Sequence, residues 1–358
     1  MSNTLPETMP EAFINLGDVI PDELSGMLPD GLFSSDPATA AEAVGEMSEL
    51  SYIVRSVLDA IGLRLGEALP LLCTLVGLVL IAAVLRALRD TVAGKGAEMF
   101  GFCLRLVLFA AIVAQAAGMV EVVQTYFSQM TALTGGMIPV MGVLYALGGN
   151  IGQATTNGGL MAVFLAICEY VSATVTPPFC GVCLGFALLD AFEGKIRLAP
   201  LSRLIKQCFT KLLGFVMFLL GVVLSAQSVL TSRADSIGMK GIKYAVGNMI
   251  PVVGGAVSGS LGTVAATVEM LRGVTGVCGI ILLALLLLPA VVQVLLFRWC
   301  FTLGATAAEM LACDGEARLM NEMGSLYGYL AAAMSICALF FVLALGIMIH
   351  GAVAVGGA

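Results

Sequence analysis

The chain contains several stretches that are long and apolar enough to cross a lipid bilayer as helices. The hydrocarbon core of a bilayer is about 30 Å thick, and a helix crosses it with about 20 apolar residues. Stretches with at most one charged residue lie at 68–88, 99–120, 212–232, 273–297 and 327–349. Backbone in hydrocarbon must form its own hydrogen bonds, which favours helices there. The sequence therefore predicts an all-α polytopic membrane protein.

The composition supports this prediction. Of the 358 residues, 59% are hydrophobic and 11% are charged, and the mean hydropathy is +1.02. Soluble domains carry about 25% charged residues, so the composition excludes an ordinary cytosolic protein. The net charge is −7, and no basic face is available to neutralise phosphates. We therefore predict membrane lipid as a partner and exclude nucleic acid.

The first part of the chain, 1–67, is predicted to be an acidic extracytoplasmic segment. It contains twelve acidic residues against two basic ones, Arg55 and Arg64. Within it, 42–65 is predicted to form an amphipathic helix, because apolar residues recur at intervals of three and four. We expect this helix to lie on the membrane surface or to dock on a partner.

An internal repeat relates two parts of the chain at an offset of 112 residues. The sequence of Gly135–Gly142, GGMIPVMG, matches that of Gly247–Gly254, GNMIPVVG. At the same offset, Ala114-Gln115 matches Ala226-Gln227, Ala154-Thr155 matches Ala266-Thr267, and Pro177 matches Pro289. We therefore predict two parallel membrane units, unit 1 at 90–195 and unit 2 at 202–313.

Each unit is predicted to contain a span, a connecting segment, a broken Gly/Pro hairpin and a second span. By correspondence with 273–297, the second span of unit 1 is expected at about 161–185, with a kink at Pro177. A first span at 68–89 and a last span with its tail at 327–358 complete the chain. This arrangement gives about six transmembrane helices, or eight if both hairpins cross the membrane completely.

The distribution of Lys and Arg predicts the orientation, because these residues are enriched in cytoplasmic loops. Basic residues cluster at 86–105 and again at 195–211, whereas 121–135 contains Glu121 and no basic residue. We therefore predict that the first two regions are cytoplasmic and that the third lies outside. Both termini of this cell-membrane protein are then extracytoplasmic.

The two Met-Ile-Pro-Val sequences are the first candidate functional elements. Broken backbone at membrane depth is tolerated only where it is packed in protein or lines a wet cavity. One interpretation is a pair of re-entrant elements at a pore or substrate path, and the alternative is a pair of interfacial turns that join spans. The residues are Met137, Ile138, Pro139, Val140 and Gly142 in unit 1 and Met249, Ile250, Pro251, Val252 and Gly254 in unit 2.

Three polar residues in or near the predicted spans are further candidates. Glu169 lies in an apolar sequence, where a carboxylate is costly unless it is paired or hydrated. It is either a functional intramembrane group or a residue near the outer interface that reaches water. Gln115 and Gln227 recur by the repeat, and we expect them to form hydrogen bonds between helices.

The sequence contains no pattern typical of an enzyme, a cofactor site or a metal site. His350 is the only histidine, so the usual general-base triads are not possible. Cys180 and Cys183 have CxxC spacing, but they lie in an apolar segment without the further ligands of a zinc site. We interpret them as packing residues, with metal or thiol chemistry as the alternative, and predict no catalysis and no cofactor.

The segment Ser232–Gly255 carries a resemblance to a known family. Its sequence, SRADSIGMKGIKYAVGNMIPVVGG, resembles the central signature of the stage III sporulation protein AE family of endospore-forming Firmicutes. That signature is Ala-Asp-Ser, then Lys-x-x-Lys-Tyr, then Asn-x-Ile-Pro-Val. The resemblance implies a signature loop, with the matching residues Asp235, Lys240, Lys243, Tyr244 and Asn248.

The resemblance implies a role in spore formation, in the mother-cell membrane around the forespore. Members of the family act with other stage III A-operon proteins, which include the AA secretion-type ATPase and the AG and AH ring proteins. Through AH, this assembly meets the forespore stage II Q protein. Together they form a secretion-like conduit that late forespore gene expression requires.

Three functions follow as hypotheses. The first is a non-enzymatic membrane component of a transport channel, with both Met-Ile-Pro-Val sequences near the transport path. A homo-oligomer of the chain is compatible with this function. The second is a self-contained secondary transporter that uses Glu169. The third is a scaffold that recruits partners through 42–65.

Overall fold

The computed structural model describes residues 11–15, 17, 28–91, 95–147, 151–191, 199–249 and 254–350. Within these ranges every regular element is a helix, and no strand occurs. The elements are α1 (Glu11–Ile14), α2 (Pro37–Met47), α3 (Leu50–Thr91), α4 (Lys95–Leu147), α5 (Ile151–Tyr170), a π-helical turn (Val171–Val175), α6 (Thr176–Ala191), α7 (Ala199–Met249), α8 (Gly254–Met310) and α9 (Asp314–His350).

Six helical stretches in the described ranges are long and apolar enough to cross a membrane. They are Val54–Ala87, Leu106–Ala146, Ala154–Asp190, Pro200–Gln227, Gly273–Met310 and Asp314–Ile347. The predicted all-α polytopic fold with about six spans is therefore confirmed. The third stretch includes the π-helical turn, which ends at Val175, two residues before Pro177, where the sequence predicts a kink.

The last helix, α9, occupies the centre of the bundle. Within its most apolar window 56% of the residues are buried, against 17% for α7, which lies at the periphery. The neighbours of α9 include α8, α7 and α6. Because membrane helices gain little from hydrophobic association in lipid, close packing of this central helix is what holds the bundle together.

A tight turn reverses the chain between α8 and α9. Ala312 adopts a left-handed conformation, with φ of 57°, and the Cys313 N–H donates to the carbonyl of Ala308 at 2.8 Å. This bond satisfies one of the carbonyls that a helix leaves free at its end. Arg86 of α3 donates to the carbonyl of Ala312, so the end of α3 is tied to the same turn.

Helices α3 and α8 run parallel, and polar contacts define their register. Gln293 Nε2 donates to Glu67 at 2.7 Å, and near the other end Arg86 contacts Ala312. The apolar residues that follow Glu67 therefore lie beside the last part of α8 rather than beside 273–297. The first and fifth predicted spans are thus staggered by about five helical turns. In α3 the span-length stretch begins at Val54, earlier than residue 68.

The predicted amphipathic helix 42–65 is divided in two, so the prediction of one helix is wrong. Helix α2 ends at Met47, and α3 begins at Leu50 and continues into the membrane. The Ser48 hydroxyl donates to the carbonyl of Val44 at 2.7 Å, and the Ser48 N–H donates to the same carbonyl at 3.1 Å, so Ser48 closes the last turn of α2. Because α3 runs through residues 67 and 68, the predicted domain boundary there falls inside a helix.

The segment before α3 packs against the helical bundle. Phe13, Leu32 and Met47 are almost completely buried, and α2 contacts α8. Asp36 accepts a hydrogen bond from the backbone N–H of Ala38 at 3.1 Å and so caps α2 at its N-terminus. The acidic segment is therefore attached to the bundle through its apolar residues.

Candidate functional site

The first Met-Ile-Pro-Val sequence lies inside a continuous helix, so the predicted broken hairpin in unit 1 is wrong. Helix α4 continues through Pro139 and ends at Leu147. One face of this helix is buried, at the spacing of three and four that a helix requires. Its members are Met137, Val140, Met141, Leu144 and Tyr145. Packing of this face outweighs the lost hydrogen bond at Pro139, whose ring is exposed.

The second Met-Ile-Pro-Val sequence lies between two helices. Met249 is the last residue of α7, and Gly254 is the first residue of α8. Ile250, Pro251 and Val252 lie outside the described residues. A re-entrant element in unit 2 and the repeat that relates the two units therefore stay predictions.

The signature residues lie on a helix rather than in a loop, so the predicted signature loop is wrong. Asp235, Lys240, Lys243, Tyr244 and Asn248 all belong to α7, which continues to Met249. Their side chains lie outside the described residues.

The two repeated glutamines lie on different helices. Gln115 is half-buried on α4 and forms no hydrogen bond with the described residues. The predicted bond between helices is therefore not found at Gln115. Gln227 is half-buried on α7.

Glu169 is exposed and lines a groove of about 290 Å³ between α4 and the junction of α5 with the π-helical turn. The other residues of the groove are Gln124, Phe127, Ser128, Thr131, Ser172 and Ala173. The carboxylate therefore lies among hydroxyl and amide groups on the outside of the bundle. It has no ion-pair partner among the described residues.

A polar cavity of about 320 Å³, which sequence reasoning missed, lies between α3, α4 and α8. Glu67 accepts hydrogen bonds from Arg64 Nη1 at 2.9 Å and from Gln293 Nε2 at 2.7 Å. Glu121, which is exposed, adds a second carboxylate from α4. A charged hydrogen-bond network of Arg64, Glu67 and Gln293 thus joins α3 and α8, and α4 contributes Glu121 to the wall of the cavity.

The wall of this cavity offers further hydrogen-bonding groups. Arg64 Nε is buried without a hydrogen-bond partner among the described residues. Pro289 also lines the cavity, and because it has no N–H, the carbonyl one turn earlier on α8 loses its usual donor. Such groups are stabilised by water or by a polar solute, so the cavity is suited to hold either.

A buried ion pair connects the start of α7 with α9. Lys206 Nζ lies 2.6 Å from Glu322 Oε2, and the lysine side chain is 1% exposed. The ammonium also donates to the carbonyl of Glu322 at 3.2 Å and to Ser325 Oγ at 3.3 Å, which uses all three of its protons. Ser202 donates to the same carboxylate oxygen at 2.9 Å. Because every ammonium proton has an acceptor and the Glu322 side chain remains 17% exposed, the pair is compatible with burial of Lys206.

Local sequence patterns indicate few of these contacts. Arg64 and Glu67 are spaced i, i+3, which indicates a local pair on a helix. In contrast, Gln293 is 226 residues from Glu67, and Lys206 is 116 residues from Glu322. No local pattern joins residues so far apart, and only the packing of the helices identifies them as partners.

The cysteines of the CxxC sequence are buried in the helical bundle. Cys180 and Cys183 are both free thiols on α6. Within the described ranges, no group of three or more His, Cys, Asp and Glu side chains could hold a metal ion. Their burial supports the interpretation of these two cysteines as packing residues.

Comparison with known proteins identifies relatives of the chain. The family described as Stage III sporulation protein AE matches residues 40–352. Stage III sporulation protein AE of Bacillus subtilis (strain 168) is 23% identical over 231 residues, which are 64% of this chain and 56% of that protein. The match therefore spans little more than half of the length of that relative. No solved structure matches the chain.

Proposed function

Because the chain belongs to the stage III sporulation protein AE family, we propose that it is a non-enzymatic component of a secretion-like channel between mother cell and forespore. The family match carries this proposal, because residues 40–352 include all six span-length helices. In this proposal the chain lies in the mother-cell membrane around the forespore and is needed for late forespore development. The polar cavity between α3, α4 and α8 supports a role in passage of polar solutes.

The proposed partners are the other stage III A-operon proteins, namely the AA ATPase and the AG and AH ring proteins. Contact with the forespore stage II Q protein is proposed to be indirect, through AH. Exposed apolar residues surround the bundle, for example Phe215 and Phe218 on α7. These residues suit lipid, and they also suit neighbouring membrane subunits or further copies of the chain.

Affinity purification of the tagged chain from sporulating cells in mild detergent tests this proposal. We expect mass spectrometry to identify the AA ATPase and the ring proteins in reproducible ratios. An unrelated multi-pass membrane protein with the same tag is the control for detergent carry-over. Recovery of the chain alone, stable and monodisperse, would contradict the channel proposal.

We also propose that the N-terminal segment is extracytoplasmic and that the α8–α9 turn is cytoplasmic. The contact of Arg86 with the carbonyl of Ala312 supports this, because it brings a predicted cytoplasmic loop to the same end as the turn. The pair of Lys206 with Glu322 likewise joins the basic region 195–211 to the first part of α9. An even number of membrane crossings separates the loop at Arg86, the basic region 195–211 and the α8–α9 turn from one another. All three can therefore lie on the same side of the membrane.

Labelling with a membrane-impermeant maleimide checks the orientation. In a chain whose ten cysteines are replaced, Ser35→Cys and Met310→Cys introduce single thiols at exposed positions before α3 and at the end of α8. Expression in intact cells without an outer membrane should allow labelling at residue 35 only. Residue 310 should react after permeabilisation. The opposite pattern would contradict the orientation.

A self-contained secondary transporter is the second candidate function. It is favoured by the exposed Glu169 and the groove around it, because intramembrane carboxylates often mark ion or substrate paths. The purification described above separates the two candidates, since a transporter of this kind would be recovered without the ATPase and the ring proteins.

A further inference from the structure

The groove around Glu169 collects five polar side chains that have no hydrogen-bond partner among the described residues. Gln124, Ser128 and Thr131 lie on α4 at spacing i, i+4 and i+7, which forms one helix face. Glu169 and Ser172 face them from the end of α5 and the π-helical turn. Polar groups gathered in this way are expected to bind a polar or charged ligand, because leaving a polar group without a hydrogen-bond partner in a membrane costs free energy.

Two contacts place the groove at the middle of the central helix. The ring of Phe164 on α5 lies 4.6 Å from that of Phe340, and Tyr126 on α4 donates to the carbonyl of Met334 at 3.2 Å. Met334 and Phe340 lie well inside the span-length stretch Asp314–Ile347. Glu169 is therefore at membrane depth, where an isolated carboxylate on the outside of a bundle is unfavourable.

Two further groups in the groove can act as oxygen ligands. Ser172 is only 7% exposed and lines the groove without a hydrogen-bond partner among the described residues. Ala173 follows it, and its carbonyl would normally accept from the residue four or five positions later. Those positions are Pro177 and Pro178, which have no N–H. The backbone carbonyl of Ala173 is therefore left without a helical donor.

We propose that this groove binds one monovalent metal cation, with Glu169 as its charged ligand. Hard cations prefer carboxylate, carbonyl, amide and hydroxyl oxygens, which are the polar groups that the groove offers. The residues that line it include one acidic side chain and no basic side chain. A single positive charge neutralises the site, whereas a divalent ion leaves a net positive charge at membrane depth. Interrupted backbone that coordinates Na⁺ is also a feature of membrane transport proteins.

Binding of Na⁺ to the purified full chain in detergent, measured with ²²Na⁺ at pH 8, tests this site. We expect saturable binding of one Na⁺ per chain that choline does not compete for. Glu169→Gln should raise the Kd at least about tenfold, because it removes the only charge of the site. Ser172→Ala should weaken binding to a smaller extent.

Glu46→Gln is the matched control, since it removes an exposed carboxylate on α2, before the first span-length stretch. It should bind Na⁺ like the unmodified chain, and size-exclusion chromatography should show that all variants are folded. The proposal would be overturned by a folded chain without saturable binding, or by equal binding in Glu169→Gln. The test needs no other protein, so its outcome is independent of the channel proposal.

Discussion

Lys206→Met is expected to destabilise the folded chain by about 3–5 kcal/mol, the usual cost of removing one partner of a buried ion pair. Lys206 is 1% exposed, and its ammonium contacts the carboxylate and the carbonyl of Glu322 as well as Ser325. The substitution leaves the Glu322 carboxylate with Ser202 as its remaining donor. The change in the free energy of unfolding can be measured by titration with sodium dodecyl sulfate in mixed micelles.

Two variants distinguish the ion pair from a general effect of charge. Lys211→Met removes an exposed lysine from the same helix and should change stability by less than about 1 kcal/mol. The double variant Lys206→Met with Glu322→Gln should be more stable than Lys206→Met alone, because no unpaired charge remains. Equal stability of Lys206→Met and Lys211→Met would show that the buried pair does not form.

Pro139→Ala is expected to stabilise the chain by about 2 kcal/mol. A proline inside a helix costs about 3 kcal/mol relative to alanine. Removal of this cost is offset by up to about 1 kcal/mol, because proline also restricts the conformations of the unfolded chain and alanine does not. The prediction depends on the position of Pro139 inside the continuous helix α4. The same detergent titration measures the change.

Pro200→Ala provides the matched control for this substitution. Pro200 lies in the first turn of α7, where proline is tolerated because the N–H groups have no helical acceptor. We therefore expect little change in stability there. A loss of stability in Pro139→Ala would indicate that Pro139 forms a turn, and it would restore the broken hairpin that the sequence predicted.

The membrane-spanning helices could be predicted from the sequence, whereas the continuous helix at Pro139 could not. The uncharged stretches identified helices that can cross a membrane, because transfer of apolar residues into lipid depends on local sequence. The same reasoning interpreted Gly135, Gly136 and Pro139 as a break, because glycine and proline disfavour helices in water. In the bundle, burial of Met137, Val140 and Tyr145 on one face keeps the helix continuous.

The candidate sites could be predicted from the sequence only in part. Glu169 was found from the sequence alone, because a carboxylate in an apolar run is unusual and costly. The hydroxyl and amide groups that surround it, on α4, could not be assigned to it without the structure. The polar cavity at Glu67 was missed for the same reason, since its third helix contributes Gln293 from a distant part of the chain.

Hydropathy and the signature motif are enough to identify this chain as a helical membrane protein of the stage III sporulation protein AE family. Hydropathy and short motifs are properties of neighbouring residues, so they can be identified without coordinates. The register of α3 against α8 and the pairing of Lys206 with Glu322 become visible only in the folded bundle. Such contacts depend on which faces of distant helices meet, and in lipid this is decided by close packing and by the cost of leaving polar groups unpaired.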